Sequence, residues 1–591
     1  MKRILRGQIK ITDGGAFLIG ALVGVLFFGL FFSFSLAVPT NTDWIWHSIT
    51  RDTAQHQLGW EMYRATGKGA TIQGLAYPAG LSIVYMDVIP LLALIFKPLS
   101  GILPSQFQYF GLWSLLCYTI MGGLAAVLLR RIWRKFYSSK ATLWQVLYLV
   151  AGSLFYVLSP MVLARTLYHP ALAGQWLILL GFLVFDDTPR AKHWWQLMLI
   201  WCAVLALTIL IHPYFLPMLG AIMLLSIIRY FDKLDFGGTV KIWLRVVAMV
   251  LVPAAVSLGI FYTIGGFSQS GAEIYDLAEK GFNLTSFANA MGYSRLIPGF
   301  SNRSTSPETM MWLGLGVWLM IIICLALVCG KYRLRYLWAK FRLWWGFENR
   351  QRHICYLIVA MLLFVFAVGV RVDVGPISLF QFAPPAPIYK LWTAFRAAAR
   401  EAWPFYYALI FGIIYCLLYL INRAHFIHRG FGWRRKYLPI ISATVLAALV
   451  LIQAVDFLLS PNVAAKYEGF KVAKLMPPEY VALDLGELAR GKQNLLPLDD
   501  NARGDHSGTY ILGRTALKYD MNMGVGFYAR VPAGAEVAKE TWQAQARNGK
   551  LSAKDLQTNL YAVKDANLAD KIGQHYELKK VGGRWFIDAA K

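Results

Sequence analysis

The side chains best suited to acid–base chemistry crowd into residues 43–90, which contain Asp43, Arg51, Asp52, His56, Glu61, Arg64 and Asp87. Asp52 and His56 are four residues apart, so on a helix they share one face. Asp87 opens an apolar run, YMDVIPLLAL, that begins at Tyr85. A carboxylate beside such a run is costly to place unless it has a partner or a task. Asp52 and Asp87 are therefore the candidate catalytic residues, each able to serve as a general base on a hydroxyl. The structural alternative is that both are caps or ion-pair partners of Arg51 or Arg64. Asp43, in the aromatic setting DWIW, reads as structural.

Further polar residues punctuate later apolar segments. SPMVLARTLYHPAL carries Arg165 and His169, and TILIHPYFLP carries His212. Each histidine alone fits a satisfied residue at a helix end; together with Arg165 and His56 they form a candidate substrate-binding set. Arg396 and Arg400 are spaced i, i+4 in FRAAAREAWPFYY, and two guanidiniums on one face suit a phosphate or pyrophosphate. The alternative is that they bind lipid headgroups generally. Tyr293 and Arg295 in GYSRLIPGFSN are weaker additions. Carboxylates that accept a proton, and arginines that hold a departing phosphate, are the parts needed to transfer a group from a lipid-linked phosphate. The chain contains no P-loop, HExxH or GxSxG, so ATP-driven transport, zinc proteolysis and serine hydrolysis have no motif here.

These residues need elements to position them, and composition says what kind. The chain has 591 residues, of which 57% are hydrophobic and 15% charged, with a mean hydropathy of +0.48. That is too oily for a soluble chain of this length, and lipid admits helices as spanning segments. About eleven crossings are expected, near 16–38, 106–129, 141–160, 170–186, 195–211, 214–230, 244–264, 311–329, 354–370, 404–421 and 438–457. The first, after MKRILRGQIK, is too long for a signal-peptide core and reads as an uncleaved anchor.

The net charge of +26 follows the spans. Lys and Arg cluster at 130–135, 190–192, 229–245, 331–352 and 423–436, which marks these loops as cytoplasmic and argues against nucleic acid as the partner. The N-terminus is then cytoplasmic, while 39–105, 265–310, 371–403 and everything after about 458 lie outside. Residues 82–99 are apolar enough to cross, yet a crossing would put the 130–140 cluster outside, so they read as a re-entrant or interfacial helix. The six cysteines lie in or beside apolar segments without metal-ligand spacing and read as packing residues. The tail from about 461 to 591 is more polar and long enough for a small α+β domain; YVALDLGELARG reads as a helix, and GTYILG, NMGVGFYARV and GRWFID as strands.

One long first helix, a large acidic loop, a helical bundle and an outward C-terminal domain together resemble the GT-C membrane glycosyltransferases. Several motifs are also similar to a bacterial membrane-protein family near that superfamily: DTAQHQLGW, YPAGLSIVYMDVIPLLALIFKPL, LPSQFQYFGLW, RTLYHPAL, IHPYF and FRAAAREAWPFYY, with a fainter echo in GFYARV. The expected fold is thus an α-helical polytopic membrane protein of GT-C type (1–460, with the loop 39–105) carrying an extracytoplasmic α+β domain (461–591). The resemblance implies transfer of a sugar from a polyprenyl-phosphate-linked donor to a cell-envelope glycan or lipid acceptor, outside the bacterial inner membrane. It implies Asp52 as the base, with Asp87 positioning the acceptor or a divalent metal. The competing functions are a transporter or flippase of a lipid-linked saccharide and a non-enzymatic scaffold for surface-polymer assembly.

Overall fold

The structure is a computed structural model. It describes residues 10–46, 51–137, 143–231, 240–268, 278–303, 306–329, 342, 347–395, 397–427, 437–463, 481–499, 506–525 and 530–590. Arg396, much of the 331–352 cluster and most of the GFYARV segment lie outside the described residues.

Among these residues, eight helices are long and apolar enough to cross a membrane, or nine if the bent pair Leu143–Val157 and Pro160–Tyr168 counts as one span. The chain is a multi-pass membrane protein. The expected eleven is not reached by length: the segments near 214–230 and 311–329 form apolar helices of only 17 residues (Phe215–Phe231) and 15 residues (Leu315–Cys329), against about 20 for a full crossing. Residues 82–99 form no continuous helix. A 3-10 turn at Ile83–Met86 is followed by the seven-residue helix Pro90–Phe96, too short to span.

The first helix, Asp13–Phe32, is capped by Thr12, whose hydroxyl accepts from the Gly15 N–H at 3.1 Å. It lies against Phe110–Phe136 with the backbones nearly touching. A Cβ on Gly20 would sit 2.0 Å from the Gly122 carbonyl, and one on Gly24 would sit 2.1 Å from that of Tyr118. Small residues at a crossing are how lipid-embedded helices gain packing. At one end of this pair Arg130 bonds Asp13, and Arg131 joins Asp13, Asp186 and Asp187 at 3.0, 2.7 and 2.9 Å. Arg190, also on Asp187, and Arg229, on the Phe185 carbonyl, add to the same basic end.

At the other end, the first loop folds into the helix Arg51–Thr66 and a small three-stranded sheet of two-residue strands. Arg64 donates to the carbonyls of Ser100, Leu103, Pro104 and Ser105, and Lys97 to those of Tyr63 and Arg64. Arg64 and Lys97 thus tie the loop to the short helix.

The C-terminal part carries a five-stranded mixed sheet in the order Asn522–Met523, Asn494–Pro497, Asn559–Val563, Arg584–Ala590, Tyr576–Val581. It joins the first loop directly: the Met523 N–H donates to Gly74 at 2.8 Å, the Tyr77 N–H donates to Met523 at 3.0 Å, and Tyr77 stacks on Trp542. Two readings of the tail are corrected. GTYILG lies in the helix His506–Lys518, whose buried Tyr510, Leu512 and Ala516 belong to the same apolar core as Leu58 of the loop helix. Burial against that neighbour outweighs the β preference of the short run. YVALDLGELARG makes only a 3-10 turn, Gly486–Ala489.

Candidate active site

Three breaks in helical structure deliver the polar residues to one place. Pro160, lacking an N–H and disfavouring helix at Ser159, separates two helices bent by 53° and starts the short helix that ends at His169. His212 stands at the C-terminal end of Trp194–Ile211, just before Pro213. Asp87 sits between the Ile83–Met86 turn and Pro90 with a left-handed backbone, φ 50°, an uncommon conformation for a residue other than glycine. The Tyr109 hydroxyl holds the adjacent Val88 carbonyl at 2.5 Å. Asp52 and His56 come from the loop helix, which the Thr53 hydroxyl ties to the Leu167 carbonyl at 2.6 Å.

The result is a ring of imidazoles around Asp87. His212 Nε2 is 3.2 Å from Asp87 Oδ1, His56 Nε2 is 3.7 Å from Oδ2, and His169 Nδ1 is 3.9 Å from Oδ2. The other nitrogen of His169 lies 3.2 Å from Asp52 Oδ2. The His56 and His169 rings are 5.7 Å apart. The Tyr214 N–H donates to His212 Nδ1 at 3.2 Å, which leaves Nε2–H to face Asp87. Burial lowers the pKa of His56 to about 4 against the opposing pull of Asp87, so the ring is neutral at pH 7. Asp87 is held below the usual carboxylate range: burial pushes it up, and the His212 hydrogen bond and neighbouring imidazoles outweigh that.

Beside the ring lies a second buried cluster. Arg165 reaches Glu308 at 2.5 Å, and Arg400 grips it with Nε and one terminal nitrogen, both at 2.7 Å. Arg400 also lies over the Tyr214 ring, 4.5 Å from its centre, so Tyr214 touches both clusters. Burial raises the pKa of Glu308, but the charges of Arg165 and Arg400 hold it well below the ordinary range. One carboxylate shared by two guanidiniums leaves the cluster net positive.

Of the residues expected from sequence, Asp52, His56, Asp87, Arg165, His169, His212 and Arg400 converge here. Arg295 does not: it is exposed, and its N–H donates to Asp456 Oδ1 at 2.9 Å, as do the Leu296 N–H and the Ser294 hydroxyl. The segment's polar groups wrap around Asp456 and turn Arg295 away. Arg396 lies outside the described residues, and Asp43 is exposed. Sequence reasoning missed Glu308, although it is the sole carboxylate between Glu279 and Glu348. It also missed Tyr214 and the tail's Arg530, which lies 5.4 Å over the Tyr85 ring and donates to the Ala394 carbonyl at 3.3 Å. Nothing in the spacing around Arg530 signals that contact.

Residues 21–458 match the family described as a domain of unknown function, DUF6311. The chain belongs to this family. The match ends at the last residue of the apolar helix Leu438–Leu458, so the family spans the helical body and both polar clusters, while the C-terminal sheet lies beyond it. No curated protein matches the chain. Among solved structures, the crystal structure of the Archaeoglobus fulgidus oligosaccharyltransferase in the apo form is similar at 12% identity and a TM-score of 0.33, covering 98% of this chain and 74% of that one. At that identity and score the likeness places no residue and assigns no activity.

Proposed function

We propose that this protein is a membrane glycosyltransferase of GT-C-like architecture. It transfers a sugar from a polyprenyl-phosphate-linked donor to a cell-envelope glycan or lipid. The observation that carries the reading is the meeting of the Asp52–His169 pair, the Asp87 ring and the Arg165–Arg400 pair at one end of the helical bundle. The opposite, basic end faces the cytoplasm on the charge rule. The site therefore works on the outer side of a bacterial inner membrane, roofed by the C-terminal region 461–591 as an extracytoplasmic domain.

In this reading the acceptor hydroxyl oxygen attacks the anomeric carbon and the carbon–oxygen bond to the donor phosphate breaks. The hydroxyl proton passes to Asp52, whose carboxylate His169 orients. Arg165 and Arg400 stabilise the phosphate as it leaves with the bonding electrons, taking its oxygens in place of Glu308 or beside it. His56, His212 and Asp87 position the acceptor; Arg295 has no part.

The test is incubation of the detergent-purified chain with a panel of radiolabelled polyprenyl-phosphate sugars, wild type against Asp52→Asn. Turnover that disappears in the variant supports the reading and names the sugar. Binding without turnover in either protein favours a transporter of lipid-linked saccharides, and no binding favours a scaffold.

A further inference from the structure

The Asp87 ring contains a set of side-chain atoms that a proton-transfer site does not need. His56 Nε2 and His169 Nδ1 both face Asp87 Oδ2, at 3.7 and 3.9 Å, too far for hydrogen bonds. Each of the three residues offers a ligand atom, and these atoms lie within 4.8 Å of one another. His169 Nδ1 is buried with no hydrogen-bond partner, and so is the remote nitrogen of His56, a residue only 2% exposed. Buried polar atoms without partners cost free energy, and the one that faces Asp87, His169 Nδ1, needs a reason.

The residues around the ring explain which atoms are left over. Asp52 takes the far nitrogen of His169 at 3.2 Å, which leaves the lone pair on Nδ1 turned inward. A carboxylate behind a histidine is the usual means of orienting a metal-binding imidazole and raising its basicity. His212, its tautomer set by the Tyr214 N–H, occupies Asp87 Oδ1 and leaves Oδ2 inward.

We propose that His56, His169 and Asp87 bind one divalent transition-metal ion of the zinc or cobalt class, with Asp52 and His212 as positioning residues behind two of the ligands. Two imidazoles and one carboxylate favour such an ion over magnesium or calcium, which prefer all-oxygen sites. Three protein ligands leave room for a substrate oxygen. The inference deepens the transferase reading and rests on the same cluster, but its test does not depend on activity.

The full chain, purified in detergent and stripped with chelator, is titrated with Co²⁺ and followed by visible absorption, with Zn²⁺ as competitor. The expected result is one equivalent of Co²⁺ displaced by Zn²⁺ and not by a large excess of Mg²⁺. This comparison needs only the wild type. His56→Ala and Asp87→Asn remove the binding, and Asp52→Asn weakens it about 10- to 100-fold, as loss of an orienting partner does. The inference is overturned if the wild type takes up no Co²⁺, if Mg²⁺ displaces it readily, or if a folded His56→Ala binds as tightly as wild type. Thermal unfolding of each variant establishes that it is folded. Failure of every donor to turn over would count against the transferase reading and leave the metal site standing on Co²⁺ uptake.

Discussion

Each end of the helical bundle carries a network of charged side chains, and the two are built differently. At the basic end, Arg130, Arg131 and Arg190 face Asp13, Asp186 and Asp187, whose side chains are 44%, 36% and 38% exposed. Every carboxylate there is paired with a guanidinium at hydrogen-bonding distance, or closer, and open to solvent. At the opposite end Asp87 meets imidazoles, two of them beyond hydrogen-bonding distance, and buried ring nitrogens lack partners. The Glu308 clamp is tight but buries two cations on one anion. A network whose carboxylates are all paired and open to solvent staples helices together. A buried and under-satisfied one holds free energy that a ligand can release.

The largest expected contrast is in activity. Asp52→Asn should reduce donor turnover about 10²- to 10⁴-fold, the usual contribution of a general base, with little change in the unfolding temperature. Asp13→Asn should leave turnover within about twofold; radiolabelled-donor assays on both variants would show it. If Asp13→Asn were as damaging, the distinction between the ends would collapse.

Removing one partner from the buried clamp should cost stability instead. Glu308→Gln leaves Arg165 and Arg400 facing each other without a counter-charge, which should destabilise the fold by about 3–5 kcal/mol. Thermal unfolding measures this, and added pyrophosphate should recover part of the loss if the arginines bind phosphate.

The third contrast is with pH. The unfolded chain protonates His56 near its ordinary value of 6.5, whereas the folded chain resists until about 4. Stability is therefore lost as pH falls from 6.5 to 4, by roughly 3 kcal/mol at the lower limit. Unfolding across that range should show the slope in wild type and a shallower one in His56→Ala, because burial also holds His169 well below its ordinary value; an unchanged slope in the variant would mean that His56 does not contribute.

The smallest effect is at the basic end, where Asp13→Asn should lower stability by about 1 kcal/mol or less, because exposed ion pairs are screened. Raised salt should mimic that change there and leave the Glu308 clamp almost untouched.

The site was more legible than the tail. His169 and His212 are polar residues at the ends of long apolar runs, where lipid leaves few reasons for them, and the i, i+4 spacing of Asp52 and His56 requires only a helix. Arg295 was a weaker candidate than Arg400, with no partner arginine at i, i+4, and the amides bonded to Asp456 hold its segment away. In the tail, GTYILG has strand-forming residues but packs as a helix against the first loop, and local preference is weak against burial of that size.

Hydropathy alone specified a multi-pass helical protein, and the positions of its polar residues alone nominated the site. Both are properties of the solvent: lipid excludes charge and unpaired backbone, so departures from apolar sequence carry information that folding need not supply. The pairing of those residues came from the packed chain. Asp87 depends on a left-handed turn, His169 on the bend at Pro160, and Glu308 on a loop that meets arginines 143 and 92 positions away in sequence. No local pattern encodes such distances, because they arise when the helices settle against one another.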